Sequence, residues 1–571
     1  MAAAALARNP LFQGLPSDAL DGVAAEMARR TFASGDVICR AGEPGDSLFV
    51  IVDGLARVTA PDGDVVARLR RSDVIGEMSL VSGEPRSATV VAAVPTTVLE
   101  LGRDDFATLI ARHPPILANL NRILTRRLAE TTARVAEPRA RGEAVAILVD
   151  EAGARVVPQV LEATAAASAA PVASLDARAA PEPALTALDD LLARHGTVVV
   201  PAAMGQELLR PVLEAVDRIV AIVGSGRELE AVATGFAPGV RAETVVLAEA
   251  STDAALPSSA ATPVVRVVEI DPSGALPARE AAWLGRHLSR TKLGLALGAG
   301  GAKGYAHVGT LYALEEAGYT VDAVAGSSIG AIVGSWLALG MSAAEIDATM
   351  RHAFRPEIVA ETFKLSFSGT SSGVDAMADV FKETTQEKTF ADAVIPLVVM
   401  TVGLDSRVPE PITEGSLWRA LLAATALAGL FPPYERDGER LVDGLALVPV
   451  PTDAVIDAGA DVTVSVDIIG GELLPAWPGE EPPREEPRSG RARMLDTLLE
   501  VMDLAQLDAS RRHAARADVP ITPRFGPASW RDFHLADLFL QAGRQAAGEQ
   551  LPALRALARP MDERPSVSRL A

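Results

Sequence analysis

The sequence predicts a multidomain chain of mixed α+β and α/β class: an antiparallel barrel, then two successive α/β units. Three patterns carry that expectation. Short strand-like runs recur at regular spacing within the first hundred residues. Apolar runs alternate with helical stretches from about 144 to 270, and a second such alternation opens near 293 with LGLALGAGG. At 571 residues the chain is also too long for a single core.

The barrel strands are expected within DVICRAGEPGD, SLFVIVDGLARVTAPDGDVVARL and SATVVAAVPTTVLEL. Apolar residues at helical spacing from Asp104 to Val135 predict helices packed on that barrel, and EPRARGE at 137–143 reads as a polar linker. VAILV, PVASL, TVVVPA, RIVAIVG, TVVLAEA and VVRVVEI predict a mostly parallel sheet; without a nucleotide motif or carboxylate cluster, that segment is structural. In the last unit VDAVAG, IPLVVMTVG and VTVSVDIIG are strands, and the Pro- and Glu-rich stretch 470–493 is a disordered or lid-like loop.

Composition narrows the function classes. Hydrophobic residues at 49% and charged residues at 22% exclude wholesale disorder, and aromatics at 4% mean cores of small aliphatic side chains. A net charge of −21 gives no basic footprint for phosphate backbones, so nucleic acid is not an expected partner. The basic stretches at 122–127 and 488–493 read as solvated faces. Cys39 is the sole cysteine, which rules out an internal disulfide and fits a reducing compartment. No signal-peptide pattern opens the chain and no run approaches 18 uninterrupted apolar residues, so it reads as cytoplasmic, with peripheral contact to the inner membrane face open.

The first chemical signal is VIGEMSLVSGEPRSATV at 74–90. A glycine-led turn followed by Glu77, and Arg86 before the hydroxyl of Ser87, supply what a cyclic phosphodiester needs: a guanidinium, N–H and O–H donors, and a carboxylate for a ribose hydroxyl. This stretch resembles the phosphate-binding cassette of cyclic-nucleotide-binding domains, and AGEPGDSLFVIVDG upstream is similar to that family's barrel. The resemblance covers residues 10–135. It implies that Gly76 and Glu77 hold the ribose and that Arg86 and Ser87 hold the phosphate; the run Arg86-Ser87-Ala88 favours cAMP over cGMP as an allosteric ligand. No helix-turn-helix follows, so the barrel is a sensor rather than part of a DNA-binding regulator.

Three further motifs converge on acyl transfer. GAGGAKG at 298–304 fails both the Walker pattern and the dinucleotide fingerprint, leaving a glycine-rich turn into a helix whose bare amides suit an oxyanion. GSSIG at 326–330 sits between a strand-like run and a small-residue helix, the setting of a nucleophile elbow, which makes Ser328 the candidate nucleophile and Ser327 structural. LVDGLALVPVP at 441–451 offers Asp443 as base, since none of the seven histidines has a comparable setting. An aspartate is a weak base in water, with an ordinary pKa near ~3.9, so the site must be closed against solvent.

Together these motifs resemble patatin-like phospholipases, over about Lys292 to Ala558, and the order barrel, α/β segment, hydrolase resembles the neuropathy target esterase class. The resemblance implies a Ser–Asp dyad acting on phospholipid or lysophospholipid esters without a metal or other catalytic cofactor. It also implies an oxyanion hole from Gly300 and Gly301, with Lys303 nearby. The expected domains are a cyclic-nucleotide-binding barrel at 1–140, an α/β intermediate domain at 141–291 and a patatin-like α/β hydrolase at 292–571. Departures are Leu445 after Asp-Gly, Val448 where an Asn is common, Ala428 for a proline and Ala299 for a third glycine. Leu445 and Ala299 motivate an alternative, a cyclic-nucleotide receptor whose hydrolase-like domain is an inactive scaffold or membrane-docking module.

Overall fold

The computed structural model describes residues 6, 10–12, 15–59, 65–70, 73–76, 79, 85–86, 88–93, 95–113, 116, 119, 142–175, 181–204, 210–224, 241–249, 264–271, 273–362, 372–427, 430–470, 491–526, 528–560 and 568–569. The helical stretch expected from 120 to 135 and most of the 470–493 insertion lie outside these residues. The chain forms two compact units, Met1–Leu161 with Ala170–Glu280 and Val567–Ala571, and Glu162–Ala169 with Ala281–Ser566.

In the first unit, β1 (Ala28–Phe32), β2 (Val37–Cys39), β3 (Ser47–Asp53), β4 (Leu55–Thr59), β5 (Val65–Arg70), β6 (Val74–Ile75), β7 (Thr89–Ala92) and β8 (Thr96–Gly102) form two antiparallel sheets, β1-β8-β3-β6 and β2-β7-β4-β5. Strand period two sorts the side chains of β3. Phe49 and Ile51 join Ile38, Ile75 and Val98 in one core, while Leu48 and Val50 join Phe106 and Leu109 of helix α1 (Arg103–Arg112) in another.

The same unit holds β9 (Glu143–Val149), β10 (Val172–Ser174), β11 (Thr197–Ala203), β12 (Arg218–Gly224), β13 (Arg241–Glu249) and β14 (Val264–Ile270), ordered β14-β13-β12-β9-β11-β10 with every pair parallel. All seven residues of β9 are buried, as a parallel strand covered on both faces requires. Buried Arg218 lies 3.8 Å from Glu143 and 3.7 Å from Glu243, so one guanidinium stands between two buried carboxylates.

The second unit is built on β15 (Leu293–Leu297), β16 (Val321–Ser327), β17 (Leu397–Gly403), β18 (Pro409–Ile412), β19 (Tyr434–Arg436), β20 (Glu439–Asp443), β21 (Val462–Val466) and β22 (Val519–Ile521). The order is β19-β20-β17-β16-β15-β21-β22, with β18 also on β17. From β17 to β22 the pairs are parallel, whereas β18, β19 and β20 run antiparallel. The apolar runs predict β16, β17 and β21 but not β18 or β19. PEPI carries two prolines that cannot donate to a ladder, and YER is too short for a pattern. One face of the sheet, with Leu295, Val324 and Val399, packs on the main core; the other carries Ala296, Ala325, Val398 and Met400. Helices α2 (Tyr305–Glu316) and α3 (Ile329–Ala338) pack with the main core.

Candidate active site and nucleotide pocket

The chain leaves β16 at Ser327 and enters α3 at Ile329, so the whole turn rests on Ser328. Its φ of 53° and ψ of −124° are unusual for a residue with a Cβ, a conformation costing about 1–3 kcal/mol. The flanking glycines make the turn feasible. A Cβ on Gly326 would lie 2.2 Å from Gly330 O, and one on Gly330 would lie 2.2 Å from Leu297 O. Ser327 and Ser328 diverge as the pattern implied: Ser327 Oγ donates to Val448 O at 2.6 Å, and Ser328 Oγ donates to Asp443 Oδ2 at 2.7 Å.

Asp443 ends β20 and is 3% exposed. Its second oxygen, Oδ1, accepts the amide of Leu445 at 2.8 Å, which fixes the carboxylate plane. Leu445, the departure from the usual pattern, therefore supports Asp443 through its backbone, while its side chain is buried with Ala299 and Ile469.

The glycine turn is pinned on either side. Ala299 N donates to Pro449 O at 2.9 Å and Ala302 N to Trp530 O at 2.7 Å. Between them Gly300 and Gly301, at φ of 157° and 58°, line a cavity of about 80 Å³ with Ser328 and Asp443. Its remaining wall is mostly apolar, with Ile332, Phe354, Met377, Phe431, Leu445 and Phe533 beside Thr425. The first amides of α3 stand next to Ser328 and add partial positive charge to that end of the cavity. Lys303 is fully buried and is not among the residues lining this cavity.

His307, given no role from sequence, is wholly buried in α2 with Nε2 donating to Gly298 O at 2.8 Å. Burial pushes its imidazole down to about 4, so it is neutral and braces the start of the glycine turn. Trp530, which grips Ala302, also escaped sequence reading; a backbone carbonyl some 230 residues downstream leaves no local signal. Among the described residues no cluster of three or more His, Cys, Asp or Glu is placed to hold a metal ion, and no helix is long and apolar enough to cross a membrane.

In the barrel, Arg86 is 6% exposed. Its guanidinium donates to Ser47 O at 2.6 Å and Gly76 O at 3.1 Å, and stacks 5.7 Å from the Phe49 ring centre. Gly76, at φ 84°, is where it must be: a Cβ there would lie 1.8 Å from Arg86 Nη1. Glu77 and Ser87, the other two expected ligand residues, lie outside the described residues.

Comparison with known proteins agrees with this division. Residues 295–456 match the model of the patatin-like phospholipase family, and residues 29–113 match that of the cyclic nucleotide-binding domain. An uncharacterized NTE family protein of Mycobacterium tuberculosis is 26% identical over 96% of this chain and 96% of its own. The mouse patatin-like phospholipase domain-containing protein 6 is 32% identical over 32% of this chain and 14% of its own. The catabolite activator protein of Thermus thermophilus, a solved structure, is 35% identical over 22% of this chain and 60% of that one, with a TM-score of 0.21.

Proposed function

This chain joins a cyclic nucleotide-binding domain to a patatin-like phospholipase domain, and we propose that it hydrolyses acyl esters of lysophospholipids or phospholipids with Ser328 as nucleophile and Asp443 as general base. The observation that carries this reading is the 2.7 Å hydrogen bond from Ser328 Oγ to Asp443 Oδ2, beside Gly300 and Gly301 on one apolar cavity.

In the forward step Ser328 Oγ attacks the ester carbonyl as its proton passes to Asp443. The amides of Gly300 and Gly301 take the developing oxyanion. Asp443 then returns the proton to the leaving glycerol oxygen, and water releases the acyl group by the same sequence in reverse. Burial of Asp443 and the apolar wall keep competing solvent from the carboxylate. The test is turnover of a lysophospholipid by wild-type protein and by Ser328→Ala; undiminished turnover in the variant overturns the assignment.

For the barrel, the proposed ligand is a cyclic nucleotide, cAMP before cGMP, with Arg86 on its phosphate and the hydrolase as the activity it regulates. Equal turnover with and without saturating cAMP removes the regulation. Leu445 favours a second reading, since its side chain occupies wall space in a cavity of only about 80 Å³: a nucleotide receptor with an inactive hydrolase fold. A fluorophosphonate probe that labels Ser328 excludes it.

A further inference from the structure

The second unit contains a larger hollow that the reaction above does not use. It measures about 820 Å³, inside the range of roughly 300–1,000 Å³ typical of ligand clefts, and shares no lining residue with the cavity at Ser328. Val398 and Met400 of β17 reach it on the sheet face turned away from the main core. Ile395, Pro411, Leu447 and Val450 extend the apolar wall. Val394 and Leu447 are 39% and 42% exposed, so this wall opens to solvent.

One side of the groove is charged with both signs. Asp453 and Asp457 stand four residues apart in α4 (Thr452–Asp457), a spacing that puts them on one helix face. Arg516 meets Asp453 at 2.5 Å. Beside it is His513, at the end of α5 (Arg491–Ala514), whose imidazole burial holds below its ordinary value. A second hollow shares Leu447, His513 and Arg516 with the first and runs on past Arg512, itself 3.1 Å from Asp508.

We propose that this groove is a second lipid site, which binds a single-chain zwitterionic phospholipid without cleaving it. The alkyl chain lies along Ile395, Val398, Met400 and Leu447. The phosphodiester meets Arg512 and Arg516, and the ammonium meets Asp457. A free fatty acid complements the groove less fully: its carboxylate can meet the same arginines, but it brings no cation to Asp457. Nothing in this site requires Ser328 or Asp443, so it stands whether or not the hydrolase reading does.

The probe is a photoactivatable ether-linked lysophosphatidylcholine, which has no ester to hydrolyse, applied to the full chain below its micelle concentration. Mass spectrometry should find the label on residues 394–400 and 447–458. Label confined to the walls of the Ser328 cavity, or no specific label, overturns the proposal. In equilibrium binding, Val394→Asp and Asp457→Lys should each weaken the same lipid about tenfold while hydrolysis of a short-chain p-nitrophenyl ester stays unchanged. Unchanged lipid affinity in both variants, with melting curves showing both folded, refutes the groove. Palmitate binding as tightly as the zwitterion refutes the assigned head group. A protein that turns over no ester but labels at the groove sinks only the hydrolase reading.

Discussion

Asp443 is the antiparallel register partner of Thr401 on β17, and the neighbouring Met400 is the parallel partner of Ser327 on the same strand. The strand that leads into the turn at Ser328 and the strand that ends at Asp443 thus flank one central strand at adjacent rungs. That is how two side chains 115 residues apart arrive within 2.7 Å.

Replacing Ser328 separates chemistry from strain. Ser328→Ala should lower lysophospholipid turnover by ~10⁴-fold or more in a steady-state assay. Ser328→Gly should be equally inactive yet raise unfolding stability by about 1 kcal/mol, because glycine accepts the backbone angles that cost serine energy. Urea denaturation of the pair checks the second expectation.

Gly330→Ala should damage the fold itself. The new methyl would sit 2.2 Å from Leu297 O, a rigid backbone atom, so a loss of roughly 3 kcal/mol is expected. Calorimetric unfolding against Gly548→Ala, a helical glycine whose added Cβ would meet nothing within 4 Å, isolates the clash.

His307 should make stability fall in mild acid. Its folded pKa is depressed to about 4 from 6.5, so between those values the unfolded chain binds the extra proton and the native state does not. The contribution is intact above pH 6.5 and is lost as pH falls towards 4, by roughly 2 kcal/mol at pH 5. His307→Gln, which keeps an amide donor for Gly298 O, should flatten that part of the profile in denaturation at pH 7.5 and pH 5.

Leu445→Ala should widen acyl preference without disturbing Asp443. The amide that holds Asp443 Oδ1 is unaffected by the side chain, so turnover of short esters should persist while that of bulkier chains rises. The cavity left behind should cost about 2–4 kcal/mol of stability. Paired chain-length profiles and melts of the two proteins decide.

Arg86→Leu should weaken cAMP binding about 100-fold, as expected for losing the single guanidinium in a charge-assisted contact. Isothermal titration with cAMP measures it; unchanged affinity would remove Arg86 from the nucleotide site.

Much of this arrangement was legible because it is local. GSSIG between a β-like run and a small-residue helix marks a tight strand-to-helix turn, and the parallel strands announce themselves as unbroken apolar runs such as EAVAILV. LVDG marked Asp443 for the same reason. What escaped was set by pairing at long range. The rung that aligns Thr401 with Asp443, the proline-bearing edge β18, the walls supplied by Phe354 and Phe431, and the brace of His307 on Gly298 depend on neighbours that no window of sequence contains. Glycine positions showed that something must approach closely, but not what: for Gly76 it is a guanidinium, for Gly330 a carbonyl.

The hold of Trp530 O on Ala302 N has a practical consequence for anyone trimming this chain. The recognisable family match stops at residue 456, yet the turn bearing Gly300 and Gly301 is clamped by a carbonyl 74 positions further on. Fragments cut at that boundary would keep Ser328 and Asp443 and still lose the clamp on Ala302, so a piece that preserves this turn must extend past Trp530.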